Sequence, residues 1–193
     1  ADLDLVFYTS GVTGAPKAVQ KSIRRIDAEA AVLERVWPGG AQRVFGTVSH
    51  QHIYGMLFRV FWPLHSGGVS ADQPAEYWEQ VAPHLSPGST LVSGPAHLTR
   101  LPGVSVFAGT APSFVFSSGG ALPLAAADAA EANLGVRPVE VLGSTETGGI
   151  AWRQQTGNET LWTLLPGVGA SSTENGRLIV RSPFTESGEP IET

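Results

Sequence analysis

The 193-residue chain contains no cysteine. That absence excludes a disulfide framework, a thiolate metal site and a cysteine nucleophile, and it fits a reducing compartment such as the cytoplasm. Charge is scarce: Asp, Glu, Lys and Arg make up 15% of the residues, against about 25% in an ordinary soluble domain. With a mean hydropathy of +0.04, this scarcity suggests that some of the surface is normally covered. Basic residues are the rarer sign, 12 Lys and Arg against 17 Asp and Glu, for a formal net charge of −5. Neutralising a phosphate backbone needs a basic face, so nucleic acid is not an expected partner. Long apolar runs are missing too. The longest charge-free stretch, Leu101 to Ala127, is broken by Pro102, Gly103, Gly109, Pro112, Gly119, Gly120 and Pro123. It reads as loop, strand and turn, with no membrane span. Ala1-Asp2-Leu3-Asp4 lacks the basic opening of a secretory signal. No HExxH-type metal spacing occurs, and Gly143-Ser144-Thr145-Glu146-Thr147 fails the Gly-x-Ser-x-Gly pattern of serine hydrolases.

What the chain does have is turn-forming residues, 23 glycines and 14 prolines, set between strand and helix patterns. Leu3 to Thr9 and Lys17 to Lys21 read as strands of a hairpin across the run Ser10 to Pro16. Ser22 is a candidate N-cap for a helix in which Ile23, Ile26, Ala30, Leu33 and Trp37 recur at helical spacing. A strand is expected over Arg43 to Ser49, a buried helix over His52 to His65 and another helix over Pro74 to Leu85. Short strands are expected at Ser89 to Ser93 and Ser113 to Ser117. An alanine-rich helix over Leu122 to Leu134 carries Pro123 near its first turn and Gly135 past its end. Pro138 to Leu142 reads as a strand, and the tail as a meander of short strands (IAWRQ, TLWTLL, RLIVR). Strand–helix alternation followed by a β-rich tail predicts an α/β class, a layered sheet with flanking helices, in a single domain spanning residues 1–193.

The most informative stretch is Tyr8-Thr9-Ser10-Gly11-Val12-Thr13-Gly14-Ala15-Pro16-Lys17. Glycines let backbone N–H groups approach phosphate oxygens, Thr9, Ser10 and Thr13 add hydroxyl donors, and Lys17 adds a compact positive charge. The loop is not a Walker A motif, because Pro16-Lys17-Ala18 replaces Gly-Lys-Ser/Thr. Nor is it a dinucleotide fingerprint, since the third glycine and the following helix are missing. Taken alone, it reads equally well as a plain hairpin turn.

Together with three later stretches, this loop resembles the adenylate-forming enzymes: acyl-CoA synthetases, aryl-CoA ligases, luciferases and peptide-synthetase adenylation domains. Thr9 to Lys17 resembles their first core motif, with Val12 in place of a hydroxyl residue and Ala18 in place of a glycine. Ser49-His50-Gln51-His52-Ile53-Tyr54-Gly55-Met56 resembles their His-x-aromatic-Gly segment, Ser118-Gly119-Gly120-Ala121-Leu122 their Ser-Gly-Gly-Ala loop, and Val141 to Glu146 their Gly-Tyr-Gly-x-Thr-Glu motif. The resemblance implies the following site. Thr9, Ser10, Gly11, Thr13, Gly14 and Lys17 would hold the ATP phosphates, and Gly119, Gly120 and Ala121 would lie against adenine. Leu142, Gly143 and Ser144 would complete the nucleotide site, Thr145 would contact the α-phosphate, Glu146 would hold Mg²⁺, and His52 would orient the acid. The implied activity is ATP-dependent activation of a small carboxylic acid to an acyl-adenylate. The acyl group would pass to a thiol, either coenzyme A or the phosphopantetheine of an acyl carrier protein. The alternative is a non-catalytic adenine-nucleotide-binding module.

Departures from the pattern carry their own expectations. Leu142 stands where an aromatic usually stacks on adenine, and Val141 replaces a glycine at a place that often lines the acyl pocket. Ala1 is not a start methionine, and Glu189 to Thr193 has no terminating element. The resemblance therefore implies the central part of a large domain, without the preceding subdomain and without the following Asp, hinge and lysine-bearing domain. Outside the motifs, His50 is expected to be structural, the five tryptophans to lie in core or covered surface, and Glu34, Asp128 and Glu131 to line solvated helix faces.

Overall fold

A computed structural model of the chain describes residues 3–10, 16–103, 107, 111–157 and 159–193. β1 (Asp4–Ser10) and β2 (Pro16–Ser22) pair antiparallel, with Thr9 opposite Lys17 and Leu5 opposite Lys21. Ser22 ends β2 in an extended conformation and caps α1 (Ile23–Val36). Its hydroxyl accepts from the Arg25 N–H at 3.4 Å, satisfying one of the donors that a helix start leaves open. Ile26, Glu29, Ala30 and Leu33 form the buried stripe of α1.

The main sheet follows: β3 (Arg43–Gly46), β4 (Val69–Ser70), β5 (Ser89–Ser93), β6 (Phe114–Ser117), β7 (Val139–Ser144), β8 (Gly148–Arg153) and β9 (Thr163–Leu164). Its spatial order is β4-β3-β5-β6-β7-β8-β9. Pairs from β4 to β7 are parallel, and β8 and β9 add on antiparallel. Between β3 and β4 runs a composite helix, α2 (Ile53–Met56), a π-helical turn Leu57–Phe61 and α3 (Trp62–Ser66). The later crossings use α4 (Trp78–Val81), α5 (Pro95–Leu98) and α6 (Leu124–Leu134). A second antiparallel sheet, β10 (Gly169–Ser172), β11 (Leu178–Arg181) and β12 (Ile191–Glu192), closes the chain.

Both faces of the parallel sheet are covered, so its central strands are buried almost along their whole length, polar Ser89, Thr90 and Ser93 of β5 included. Successive side chains point to opposite faces. Val92 and Phe116 pack in one core with Trp37, Phe58 and Trp62, while Leu91 and Val115 pack in the other with Leu85, Leu98 and Leu134. Trp37 meets Phe116 edge-on with ring centroids 4.9 Å apart, a favoured aromatic geometry.

The α/β class, the hairpin, the Ser22 cap and the order of the principal strands agree with the sequence reading, while several local expectations do not. The helix expected over Pro74 to Leu85 shrinks to α4 and a 3₁₀ turn Ala82–His84, because Pro83 has no N–H to continue the ladder. Pro123 is the N-cap of α6 instead of a first-turn residue. The TLWTLL strand reduces to β9, and β4, α5, β10 and β12 were not foreseen. Glu34 does not face solvent freely: its carboxylate accepts from Trp62 Nε1 at 2.8 Å, Ser66 Oγ at 2.6 Å and the Gly39 N–H at 2.9 Å, clamping α1 to α3. Asp128 and Glu131 both pair with Arg137. Trp162 is exposed, with the Arg153 guanidinium 4.4 Å from its ring centre. No helix among the described residues is long and apolar enough to cross a membrane.

Candidate active site

Because β3, β5, β6 and β7 are parallel, their carboxyl ends share one edge of the sheet, the edge where open α/β sheets bind ligands. The loops leading out of β3, β6 and β7 carry the His52, Ser118-Gly119-Gly120 and Thr145-Glu146 segments. They border a cavity of about 220 Å³ lined by His52, Tyr54, Ser118, Gly119, Thr145 and, from α1, Glu29.

Close backbone approaches set these loops. A Cβ on Gly55 would stand 2.0 Å from the Ser49 carbonyl oxygen, so only glycine lets α2 start against its own entry loop with His52 at the N-cap. A Cβ on Gly143 would stand 2.7 Å from the Gly148 carbonyl, where the β7–β8 register shifts. Ser118 Oγ donates to the Val141 carbonyl at 2.9 Å, joining the ends of β6 and β7. The buried Glu140 carboxylate accepts from the Leu122 N–H at 3.1 Å and from Arg153 Nε at 2.8 Å, anchoring the Ser118–Leu122 loop to the sheet. In the turn after β7, Ser144 and Thr147 hydroxyls lie 2.9 Å apart, and Ser182 Oγ donates to the Thr147 carbonyl at 2.7 Å.

The first and last motifs meet in space. Lys17 Nζ lies 3.0 Å from Glu146 Oε1, with side chains 62% and 30% exposed. Burial pushes the Glu146 carboxyl up, but the bond from Lys17 and bonds from a backbone N–H and Ser144 outweigh it, leaving the carboxyl below the usual carboxylate range. Glu146 is therefore ionised at neutral pH. Thr9 Oγ1 donates to the Lys17 carbonyl at 3.4 Å. Gly119 has φ +85°, a left-handed conformation that favours glycine, and Gly119, Gly120 and Ala121 present exposed backbone. Leu142 is 37% exposed, and Val141 lines the cavity. Gly11, Thr13 and Gly14, with Val12, lie outside the described residues, as does the side chain of Ser10.

Sequence reasoning missed Lys21 and Glu29. Lys21, 2% exposed, donates from Nζ to the Phe184 carbonyl at 3.3 Å. Glu29, 1% exposed, accepts from the Gly149 N–H at 2.6 Å through Oε1. Burial pushes the Lys21 ammonium below the usual lysine range against the pull of Glu29, Glu186 and Glu146. Burial likewise pushes the Glu29 carboxyl above the usual carboxylate range, opposed by Lys21 and the Gly149 N–H. The signal was present: Glu29 falls between Ile26 and Ala30 on the apolar stripe, where a charge facing solvent is not available.

A parallel sheet with glycine-rich loops and a Lys–Glu pair at its carboxyl edge defines a class of ligand-binding α/β protein, and comparison with known proteins narrows it. Residues 1–186 match the AMP-binding enzyme family, and the chain belongs to that family. Curated relatives include a 4-coumarate–CoA ligase of Rhodobacter capsulatus, 33% identical over 88% of this chain and 44% of that protein. A sulfoacetate–CoA ligase of Cupriavidus necator is 33% identical over 74% of this chain and 29% of that protein. Among solved structures, a malonyl-CoA ligase with methylmalonyl-CoA and AMP bound superposes with a TM-score of 0.75 at 25% identity, covering 93% of this chain and 43% of that one. ATP-bound MatB from Rhodopseudomonas palustris shares the fold, with a TM-score of 0.76 at 20% identity over 93% of this chain and 39% of that chain. The chain thus spans less than half the length of these relatives.

Proposed function

We propose that the protein containing this chain activates a small carboxylic acid with ATP and passes the acyl group to a thiol, coenzyme A or a carrier-protein phosphopantetheine. The observation that carries this reading is the meeting of Lys17 and Glu146, 129 residues apart, at 3.0 Å beside the cavity. A carboxylate oxygen of the acid attacks the α-phosphorus of ATP, and the bond to pyrophosphate breaks. The thiol sulfur then attacks the acyl carbon of the adenylate, AMP leaves, and the thiol proton is released. In-line transfer of this kind depends on alignment and charge stabilisation more than on covalent help from the protein. Lys17 and the loop Thr9 to Gly14 would bind the β- and γ-phosphates, Thr145 an α-phosphate oxygen, and the edges of Gly119, Gly120, Ala121 and Leu142 the adenine. His52, at the cavity mouth, would orient the acid.

The residues present fit a magnesium ion. Mg²⁺ takes one or two carboxylates and completes its shell with phosphate oxygens and water. Glu146 is a single ionised, part-exposed carboxylate, and among the described residues no cluster of three or more His, Asp or Glu side chains offers an all-protein cage. Bound there, Mg²⁺ would supply charge neutralisation at the phosphates.

The span of less than half of each relative supports a second reading, a nucleotide-binding unit that does no chemistry by itself. A thermal-melt titration with Mg-ATP and an acid-dependent ATP–pyrophosphate exchange assay test both. Under the first reading, Mg-ATP raises the melting point saturably and exchange is detected. A melting rise without exchange selects the second, and no rise in either assay rejects a working nucleotide site in this chain.

A further inference from the structure

We propose that Glu29 is a specificity residue of the acid pocket and that the acid bound there carries a hydroxyl group, which hydrogen-bonds Glu29 Oε2. This inference rests on the acid-activating reading and names the substrate class of that same site. Glu29 reaches the cavity from the buried face of α1 and is 1% exposed. Its two oxygens differ. Oε1 is satisfied by the Gly149 N–H at 2.6 Å, whereas Oε2 is buried with no hydrogen-bond partner. Lys21 acts on Glu29 through space without forming an ion pair with it, and its ammonium donates to the Phe184 carbonyl. An unpartnered buried carboxyl oxygen is costly to leave unsatisfied, so such groups are uncommon unless something completes them.

No side chain at position 148 fills the space beside Oε2: a Cβ on Gly148 would stand 2.7 Å from that buried oxygen, and Gly148 itself lines the cavity. The rest of the wall near α2 is apolar: Ile53, Leu57 and Phe58, with the ring of Tyr54. A cavity of about 220 Å³ lies below the usual range for drug-sized ligands, which suits a small aryl or short alkyl acid. Beside this apolar stretch of wall, apart from His52, Ser118, Ser144 and Thr145, Oε2 acts as a selector, and the Tyr54 hydroxyl is the other buried polar atom on the wall without a partner. A hydroxyl satisfies Oε2 in either protonation state, donating to the carboxylate or accepting from the carboxyl, whereas an unsubstituted acid would leave the oxygen orphaned. Sites built to bond a hydroxyl reject analogues that lack it far more strongly than apolar pockets reject a missing methylene.

The test is competitive ligand-observed NMR on the intact chain with 4-hydroxybenzoate against benzoate and 4-hydroxybutanoate against butanoate. Mg-ATP melting shifts are recorded in parallel. In at least one pair the hydroxylated acid should bind at least about tenfold tighter. Glu29→Met should bring that ratio to within about twofold. Should the methionine variant fail to fold, Glu29→Leu, which likewise offers neither donor nor acceptor to the hydroxyl, should lower the preference at least about threefold. Equal binding within both pairs, binding of neither member while the Mg-ATP shift is intact, or a preference that survives in the variants overturns the proposal. Loss of the Mg-ATP shift with the hydroxyl preference retained would instead overturn the nucleotide reading and leave the role of Glu29 standing.

Discussion

Lys17 and Lys21 lie four residues apart on β2 and point to the same face of the hairpin, yet their electrostatic settings are opposite. Lys17 is 62% exposed and meets Glu146 directly. Lys21 is buried among a helix, the Phe184 backbone and three carboxylates, none of which pairs with it as an ion pair. At the open end, water screens the charges and both partners stay accessible. At the closed end, desolvation dominates and the same residue types serve as buried, oriented polar groups beside the cavity. Residue type alone does not separate a screened ion pair from buried, oriented polar groups; depth in the fold does.

The largest effect that would sharpen this contrast is on chemistry at the open end. Lys17→Ala and Glu146→Gln should each lower acid-dependent pyrophosphate exchange at least about a hundredfold, consistent with the loss of oriented charge stabilisation. The urea-unfolding free energy of either variant should change by less than about 1 kcal/mol, as for exposed ion pairs. Near-normal exchange in both would break the assignment of the open end.

Lys21→Ala should give the reverse pattern. Removing a buried cation leaves a void and uncompensated carboxylates, and a loss of about 3 kcal/mol is expected in urea melts. A loss comparable with that of Lys17→Ala would show that the two lysines are not in different regimes.

pH should separate the two glutamates by sign. The Glu29 carboxyl is held above its unfolded value, near about 4.3, so its cost to stability is fully present above its folded pKa and is relieved as pH falls towards the unfolded value. The Glu146 carboxyl is held below, so its contribution is present above the unfolded value and is lost as pH falls through the folded one. Between pH 7 and pH 4 the wild type should therefore gain stability relative to Glu29→Gln and lose it relative to Glu146→Gln. Parallel shifts in the two comparisons would contradict this. The smallest effect is that of salt: raising ionic strength to about 1 M shortens the screening length to about 3 Å. It should erase most of the Lys17–Glu146 contribution, a few tenths of a kcal/mol, and leave the Lys21 variant's deficit unchanged.

Much of this architecture was legible before any coordinates. The Ser22 cap, the α1 stripe and the places of β3, β5, β6 and β7 along the chain follow from local preferences of a few adjacent residues. The helix over Pro74 to Leu85 failed because a periodic pattern was read across Pro83, whose missing N–H cuts the ladder. Glu34 was misread because a carboxylate at a helix edge gives no hint of the indole and hydroxyl that reach it from α3. Glu140 hid in the strand pattern PVEVL, where alternation turns it to the face opposite Val139 and Val141; that face is covered too, and Arg153 is its partner there.

By itself the sequence determined the class of fold, the glycine-rich loops and the residue types able to meet phosphate, since each depends on neighbours along the chain. Only the tertiary structure decided that Lys17 and Glu146 touch, that Lys21 and Glu29 are buried, and that one buried oxygen of Glu29 has no hydrogen-bond partner. Burial and long-range pairing arise from which surfaces the parallel sheet brings together. A charged side chain's energy depends more on the water excluded around it than on the letters beside it.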